Sequence, residues 1–369
     1  MTASVEIIKK ANPHTIKKFQ LIERYVKEWA QKLLNYSNCQ QLVFIDCMCS
    51  SGEYFDDMGQ TIYGTPVRVS KYLRQIAPNY PSKRIDVYYN DICSEKVDHL
   101  ETLLEPSTGN YSIHTSRIDG NVLLRNIGRL LTPGAEVHYL LVYDPYDASI
   151  DWMALQPFLN NWGEVIINHM ISDSMRAVKM AKTPEAVEKY QMTYLTDIES
   201  LIPFGSDKSA YEERIEAIIN ILHRGERRYY VSAFPFFNRR NAIVYNLIHC
   251  TGHPKGFSLY KKTAWQVFGG KSSDKNTHGA ENQLSFLFDG GDTLVTQTDE
   301  YCYYLKDVAA YLQSIFCGRQ SVPLSEVWAV LEDHPIFPSE GFKPQIKAEL
   351  KRLYGTKESN QSLSFTSRK

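Results

Sequence analysis

Four aspartates follow four apolar runs in the N-terminal half of this 369-residue chain: Asp46 after LVFI, Asp91 after IDVYYN, Asp119 after YSIHTSRI and Asp144 after VHYLLVY. Acids so placed line one edge of a parallel sheet, the edge at which a doubly wound fold receives a nucleotide-like ligand. A carboxylate at Asp46 can accept a bond from an ammonium group or an ordered water. Gly52, in the small-residue loop that follows, lets the backbone approach the amino-acid part of such a ligand. Asp91 is placed to accept from both hydroxyls of a ribose. Asp119, followed by Gly120, is placed to hold an adenine amino group; a helix N-cap is its alternative role.

The fourth acid opens the segment Asp144-Pro145-Tyr146-Asp147. Methyl transfer to nitrogen needs a lone pair freed and aimed at a sulfonium methyl. A carboxylate beside a proline-fixed carbonyl can grip the hydrogens of an amino group, and Tyr146 can stack on a flat acceptor. Asp144 and Tyr146 are therefore the candidate catalytic residues. Asp46, Gly52, Asp91 and Asp119 are the candidate cofactor-binding residues, with S-adenosylmethionine the expected cofactor. Cys47 and Cys49 lack a second pair at ligand spacing, so no metal site is expected. His138, His169 and His249 lie in apolar runs and read as core residues.

These residues need a sheet to position them. LVFID from Leu42, IDVYYND from Ile85, YSIHTS from Tyr111, VHYLLVYD from Val137 and EVIINHM from Glu164 alternate with helix-patterned segments. That is a βαβ rhythm, preceded by an amphipathic helix from His14 to Asn35. Two further apolar runs, Tyr229 to Phe236 and Ala242 to Cys250, are joined without a helix and read as an antiparallel hairpin beside the fifth strand. The expected fold is thus α/β: a Rossmann-like methyltransferase sheet of parallel strands plus a terminal antiparallel hairpin. A helical insertion is expected at about 171–226, and a C-terminal winged-helix-like module completes the chain.

The domain limits that follow are 1–270 for the methyltransferase-like part and 280–369 for the C-terminal module, across a polar, Gly- and Ser-rich stretch from Gly269 to Gly279 read as a mobile linker. In the C-terminal part, Ser325 is a candidate helix cap. Pro344 suits a helix start and Gly355 a helix end. The final TKESNQSLSFTSRK is polar enough to be expected frayed. Lys343, Lys347, Lys351 and Arg352 share one helix, a common arrangement for phosphate contact, so nucleic acid is an expected partner and the favoured methyl acceptor.

Composition narrows the classes. Hydrophobic residues make up 43% and charged residues 22%, which excludes wholesale disorder. The net charge of −1 leaves no global field to attract nucleic acid, so any such binding is local. No apolar run approaches the ~20 residues of a membrane span. Seven irregularly spaced cysteines and a start unlike a signal peptide point to a reduced, cytoplasmic protein.

The segments PHTIKKFQLIERYVKEWA, FID…GEY…GTP, YDPYD and GHPKGFSLYKKTAW, from about Pro13 to Trp265, together resemble the three-Cys-motif partner protein family. The resemblance implies a methyltransferase-like fold and association with a radical-enzyme-like protein bearing three cysteines. It carries over Asp46, Gly52, Tyr54, Gly64 and Pro66. The chain departs from that pattern after Asp46, where Cys47, Met48, Cys49, Ser50 and Ser51 replace a glycine-rich loop, and the side chains of Cys47, Met48 and Cys49 are expected to crowd the cofactor. The leading expectation is an S-adenosylmethionine-dependent methyltransferase-like enzyme acting on an amine. The alternative is a non-catalytic partner or scaffold that keeps the fold. A dinucleotide-dependent oxidoreductase is disfavoured because the three-glycine fingerprint is absent.

Overall fold

A computed structural model describes residues 6–130, 134, 136–146, 149–160, 162–171, 183–195, 208–224, 229–275 and 301–367. Its centre is a seven-stranded sheet. The strands are β2 (Gln41–Asp46), β5 (Arg84–Asn90), β6 (Tyr111–Ser116), β7 (Val137–Tyr143), β8 (Gly163–His169), β9 (Tyr230–Phe237) and β10 (Ile243–Thr251). They lie in the order β6-β5-β2-β7-β8-β10-β9. The first five are mutually parallel. β10 enters between β8 and β9 and is antiparallel to both. The hairpin is therefore as expected and one residue offset, and its second strand, not its first, abuts the fifth. This insertion separates the sheet from the plain dinucleotide-binding order.

Side chains alternate across the central strands and fill two cores. Leu42 and Phe44 of β2 face one layer; Val43 and Ile45 face the other. The first layer holds α1 (Pro13–Leu34), α2 (Thr65–Ile76) and α8 (Pro254–Val267), with Tyr25, Trp29, Leu73, Tyr260 and Trp265 buried against the sheet. Pro13 and Pro254 open their helices where no backbone N–H is needed. The second layer holds α4 (Gly120–Leu130), α5 (Trp152–Leu155), α6 (Pro184–Tyr194) and α7 (Lys208–Leu222), through Leu124, Leu155, Tyr194 and Ile218. α6 and α7 are the described part of the expected helical insertion; the rest of it lies outside the described residues. Helix α3 (Ser94–Leu103) follows β5, and β3 (Glu53–Phe55), which begins just after Gly52, forms a small separate sheet with β1 (Lys9–Lys10) and β4 (Thr61–Tyr63).

The C-terminal elements run α9 (Leu305–Phe316), β11 (Val322–Pro323), α10 (Leu324–Asp333), α11 (Lys343–Tyr354), β12 (Lys357–Ser359) and β13 (Ser362–Ser364), with a sheet order β11-β13-β12. The tail expected to fray is instead paired, because Leu363 and Phe365 fall on one strand face and are buried. Ser325 lies inside the first turn of α10 and Pro323 takes the cap position. Gly355 does end α11, in the left-handed conformation at φ +64°.

Lys261 and Trp265 of α8 hold this part of the chain. Lys261 Nζ donates to the carbonyls of Leu331, Glu332 and His334 at 2.8, 3.1 and 2.6 Å, and Trp265 Nε1 donates to Ile336 O at 2.9 Å. The stretch read as a mobile linker is packed as far as it is described. Ser272 and Ser273 are buried, and Asp274 accepts from Phe237 N at 2.7 Å at the end of β9. Residues 276–279 lie outside the described residues. No described helix is long and apolar enough to cross a membrane.

Candidate functional site

Asp46 ends the central strand with 3% of its surface exposed, and its Oδ1 accepts no hydrogen bond from the described residues. Burial, then the neighbouring Asp144, pushes its pKa up to about 8, against the pull of Lys18. The chain then turns sharply: Ser50 and Gly52 take φ of +58° and +74°. At Gly52 a Cβ would lie 2.5 Å from Leu100 Cδ1 and 3.0 Å from Val67 Cγ2, so close packing against α3 and α2 also requires glycine.

The crowding expected from Cys47 and Cys49 does not occur. Cys47 is buried in the core layer of α4, with Sγ on the carbonyl of Val142 at 3.4 Å. Cys49 is buried in the opposite layer. Strand alternation would keep residues two apart on one face; the chain leaves β2 at Asp46 and turns, and this turn sends the two thiols to opposite faces. Met48 packs over Gly120, where an added Cβ would meet its Cε at 2.7 Å.

Asp91 is fully buried at the end of β5. Its Oδ1 accepts from Cys93 N and its Oδ2 from Ser50 N, both at 3.0 Å, and the Tyr146 hydroxyl also donates to Oδ2. Thus Asp91 clamps the loop after β2. Asp144 is likewise engaged, with Lys18 Nζ at 2.5 Å from Oδ2 and Asn168 Nδ2 at 2.5 Å from Oδ1. Asp46, Asp91 and Asp144 sit close enough to interact electrostatically.

Asp119 stands apart. It is exposed, and its Oδ1 caps α4 by accepting from Asn121 N and Val122 N at 3.0 Å each. Around the edge the large apolar residues Ile92, Ile118 and Val122 are exposed by 64%, 37% and 42%. Asp147 lies outside the described residues.

Several residues that complete the site were passed over in the sequence. Lys18 belongs to α1, far in sequence from any strand end, and only the packing of that helix against the sheet brings it to Asp144. Lys96 of α3 reaches Tyr146. Asn90 joins two loops through its amide, donating to Cys47 O at 2.9 Å and Ile118 O at 2.8 Å. An uncharged residue ending an apolar run, as Asn90 does beside Asp91, is the one signal that could have found it. Tyr54, carried over from the family pattern, packs against Phe19 at 5.0 Å between ring centroids, and an added Cβ on Gly64 would meet its ring at 2.7 Å. His169 is the core residue it was read to be: it bonds to Tyr194 at 2.9 Å, and burial lowers its pKa to about 3.

No family model and no curated protein matches the chain. Among solved structures it is similar to a protein of Legionella pneumophila, at 11% identity over 70% of this chain and 93% of that one, with a TM-score of 0.41. It is also similar to human methyltransferase-like protein 13 in complex with SAH, at 12% identity over 69% and 90% of the two chains and a TM-score of 0.32. A third is the O-methyltransferase TomG of Streptomyces achromogenes in complex with SAM, at 8% identity over 65% and 90%, with a TM-score of 0.33. The chain is an α/β protein with a mostly parallel central sheet into which one antiparallel strand is inserted.

Proposed function

We propose that the chain is an S-adenosylmethionine-dependent methyltransferase-like protein, with the cofactor seated along the carboxyl edge of the sheet. The observation that carries this reading is the unpartnered buried oxygen of Asp46. An unpaired buried acceptor costs ~1–3 kcal/mol, and a ligand ammonium at that point relieves the cost. The other residues fit the same ligand. Gly52 lies in the loop beside the amino-acid end, Asp91 faces the ribose, and Ile92, Ile118 and Val122 offer apolar surface to a purine. Asp119 keeps Oδ2 for an amino group while Oδ1 caps the helix.

Bound there, the cofactor supplies a sulfonium methyl to a nucleophile. Asp144 supplies a fixed negative charge for an acceptor amine, and Tyr146 an aromatic face. Nucleic acid is the acceptor class this reading favours, met by the C-terminal elements as a winged-helix-like module. There Lys347 and Arg352 are paired with Glu358 and Glu349, at 2.6 Å each, and would exchange these partners for phosphates. The radical-enzyme-like partner rests on the sequence resemblance alone.

Calorimetric titration with S-adenosylmethionine and its demethylated product tests the cofactor. Binding by the wild type that is lost in Asp46→Asn supports it; no heat at millimolar ligand from a folded protein overturns it. The second reading, a non-catalytic scaffold, is favoured by one observation: both oxygens of Asp144 are already held by the chain's own Lys18 and Asn168.

A further inference from the structure

Tyr146 stands on the carboxylate that the proposed function assigns to a ribose. Its hydroxyl donates to Asp91 Oδ2. Lys96, 6% exposed, holds it there, with Nζ 3.1 Å from the phenol oxygen and 4.6 Å from the ring centroid. A carboxylate has about four lone-pair positions. The amides of Ser50 and Cys93 take two of them, one on each oxygen. A vicinal diol needs the remaining two, and the Tyr146 hydroxyl occupies one. A phenol O–H is the chemical equivalent of one sugar hydroxyl, so the two donors compete for the same lone pair.

Tyr146 is 53% exposed, so its ring has open solvent to rotate into when the hydroxyl is displaced. Burial and the bond to Asp91 raise its pKa, which keeps the phenol protonated and a donor. Lys96 draws its own position from α3, not from Tyr146.

We propose that Tyr146 is a placeholder on Asp91, displaced when a nucleoside diol binds, so that cofactor entry frees its ring to meet the acceptor. This rests on the reading that Asp91 accepts the ribose. The placeholder imposes an order, cofactor before acceptor, and it lowers nucleoside affinity by the fraction of molecules in which it is engaged.

The test is titration of the full chain with adenosine and with S-adenosylhomocysteine, using wild type, Tyr146→Phe, Lys96→Met and Asp91→Asn, each checked for an unchanged far-ultraviolet spectrum. Tyr146→Phe loses only the competing hydroxyl and is expected to bind both ligands about three- to tenfold more tightly. Lys96→Met, which loosens the ring, is expected to tighten binding by a smaller factor, and Asp91→Asn to weaken it at least tenfold. Equal or weaker binding by Tyr146→Phe, with weakened Asp91→Asn, overturns the placeholder and leaves the cofactor reading standing. Unweakened binding by a folded Asp91→Asn overturns the ribose reading and the placeholder with it.

Discussion

The ammonium of Lys18 lies 2.5 Å from Oδ2 of Asp144, joining the first helix to the loop after the fourth parallel strand. The lysine side chain is 10% exposed and the carboxylate 27%, so water screens the pair only in part. Lys18 also lies 5.3 Å from the centroid of the Tyr245 ring. One cation thereby offsets two acids, because it lowers the pKa of Asp46 as well as pairing with Asp144.

Replacing Lys18 by Met leaves Asp144 with Asn168 as its sole neutral donor among the described residues. Breaking a mostly buried pair costs several kcal/mol, less where water reaches it, so a loss of about 1–3 kcal/mol is expected in urea unfolding. The same change raises the Asp46 pKa further. A variant as stable as the wild type would show that the pair contributes nothing net.

Asp46 predicts a proton linkage. Its folded pKa is about 8, above the ordinary 3.8, so the folded state holds a proton that the unfolded chain has lost at neutral pH. The sign follows: its contribution to stability is full below pH 3.8, declines as pH rises, and is lost through pH 8. A ligand ammonium favours the ionised carboxylate, so cofactor binding at pH 7 is expected to release a proton. Binding heats measured in phosphate and in Tris should then differ at pH 7 and converge above pH 9; equal heats in the two buffers at pH 7 would show that Asp46 releases no proton.

Gly52→Ala combines a left-handed backbone with a Cβ 2.5 Å from Leu100 Cδ1. The methyl is the far end of a flexible side chain and can shift, whereas the backbone cost of ~1–2 kcal/mol cannot be relieved. We expect urea unfolding to show stability lowered by that amount, and the double variant Gly52→Ala with Leu100→Ala, measured against Leu100→Ala alone, to recover only the steric part. Full recovery would place the whole cost in the contact.

Lys261→Met removes the donor that three carbonyls at the end of α10 share. Unsatisfied carbonyls cost ~1–3 kcal/mol each when water cannot reach them. The expected result is lower stability together with faster exchange of the amides of α10 and α11. If exchange in those helices is unaffected, the lysine is not what holds them to α8.

The sequence by itself determined the order of strands and helices, since apolar runs of strand length and helix-period segments are local patterns. It also placed acids at four strand ends, because a strand's end is marked by where the apolar run stops. Tertiary structure decided what those acids do. Asp119 reads like Asp91 in the sequence, yet one caps a helix at the surface and the other is buried against two loop amides. The thiols of Cys47 and Cys49 were expected to crowd the ligand, and the turn that follows β2 sends them into separate cores. The tail was polar on average, and average polarity hides the period of two that buries Leu363 and Phe365. Lys18 and Lys96 could not be found from spacing: each lies on a helix, and its partner lies across the sheet edge. Such pairs are set by how layers pack, which no local pattern records.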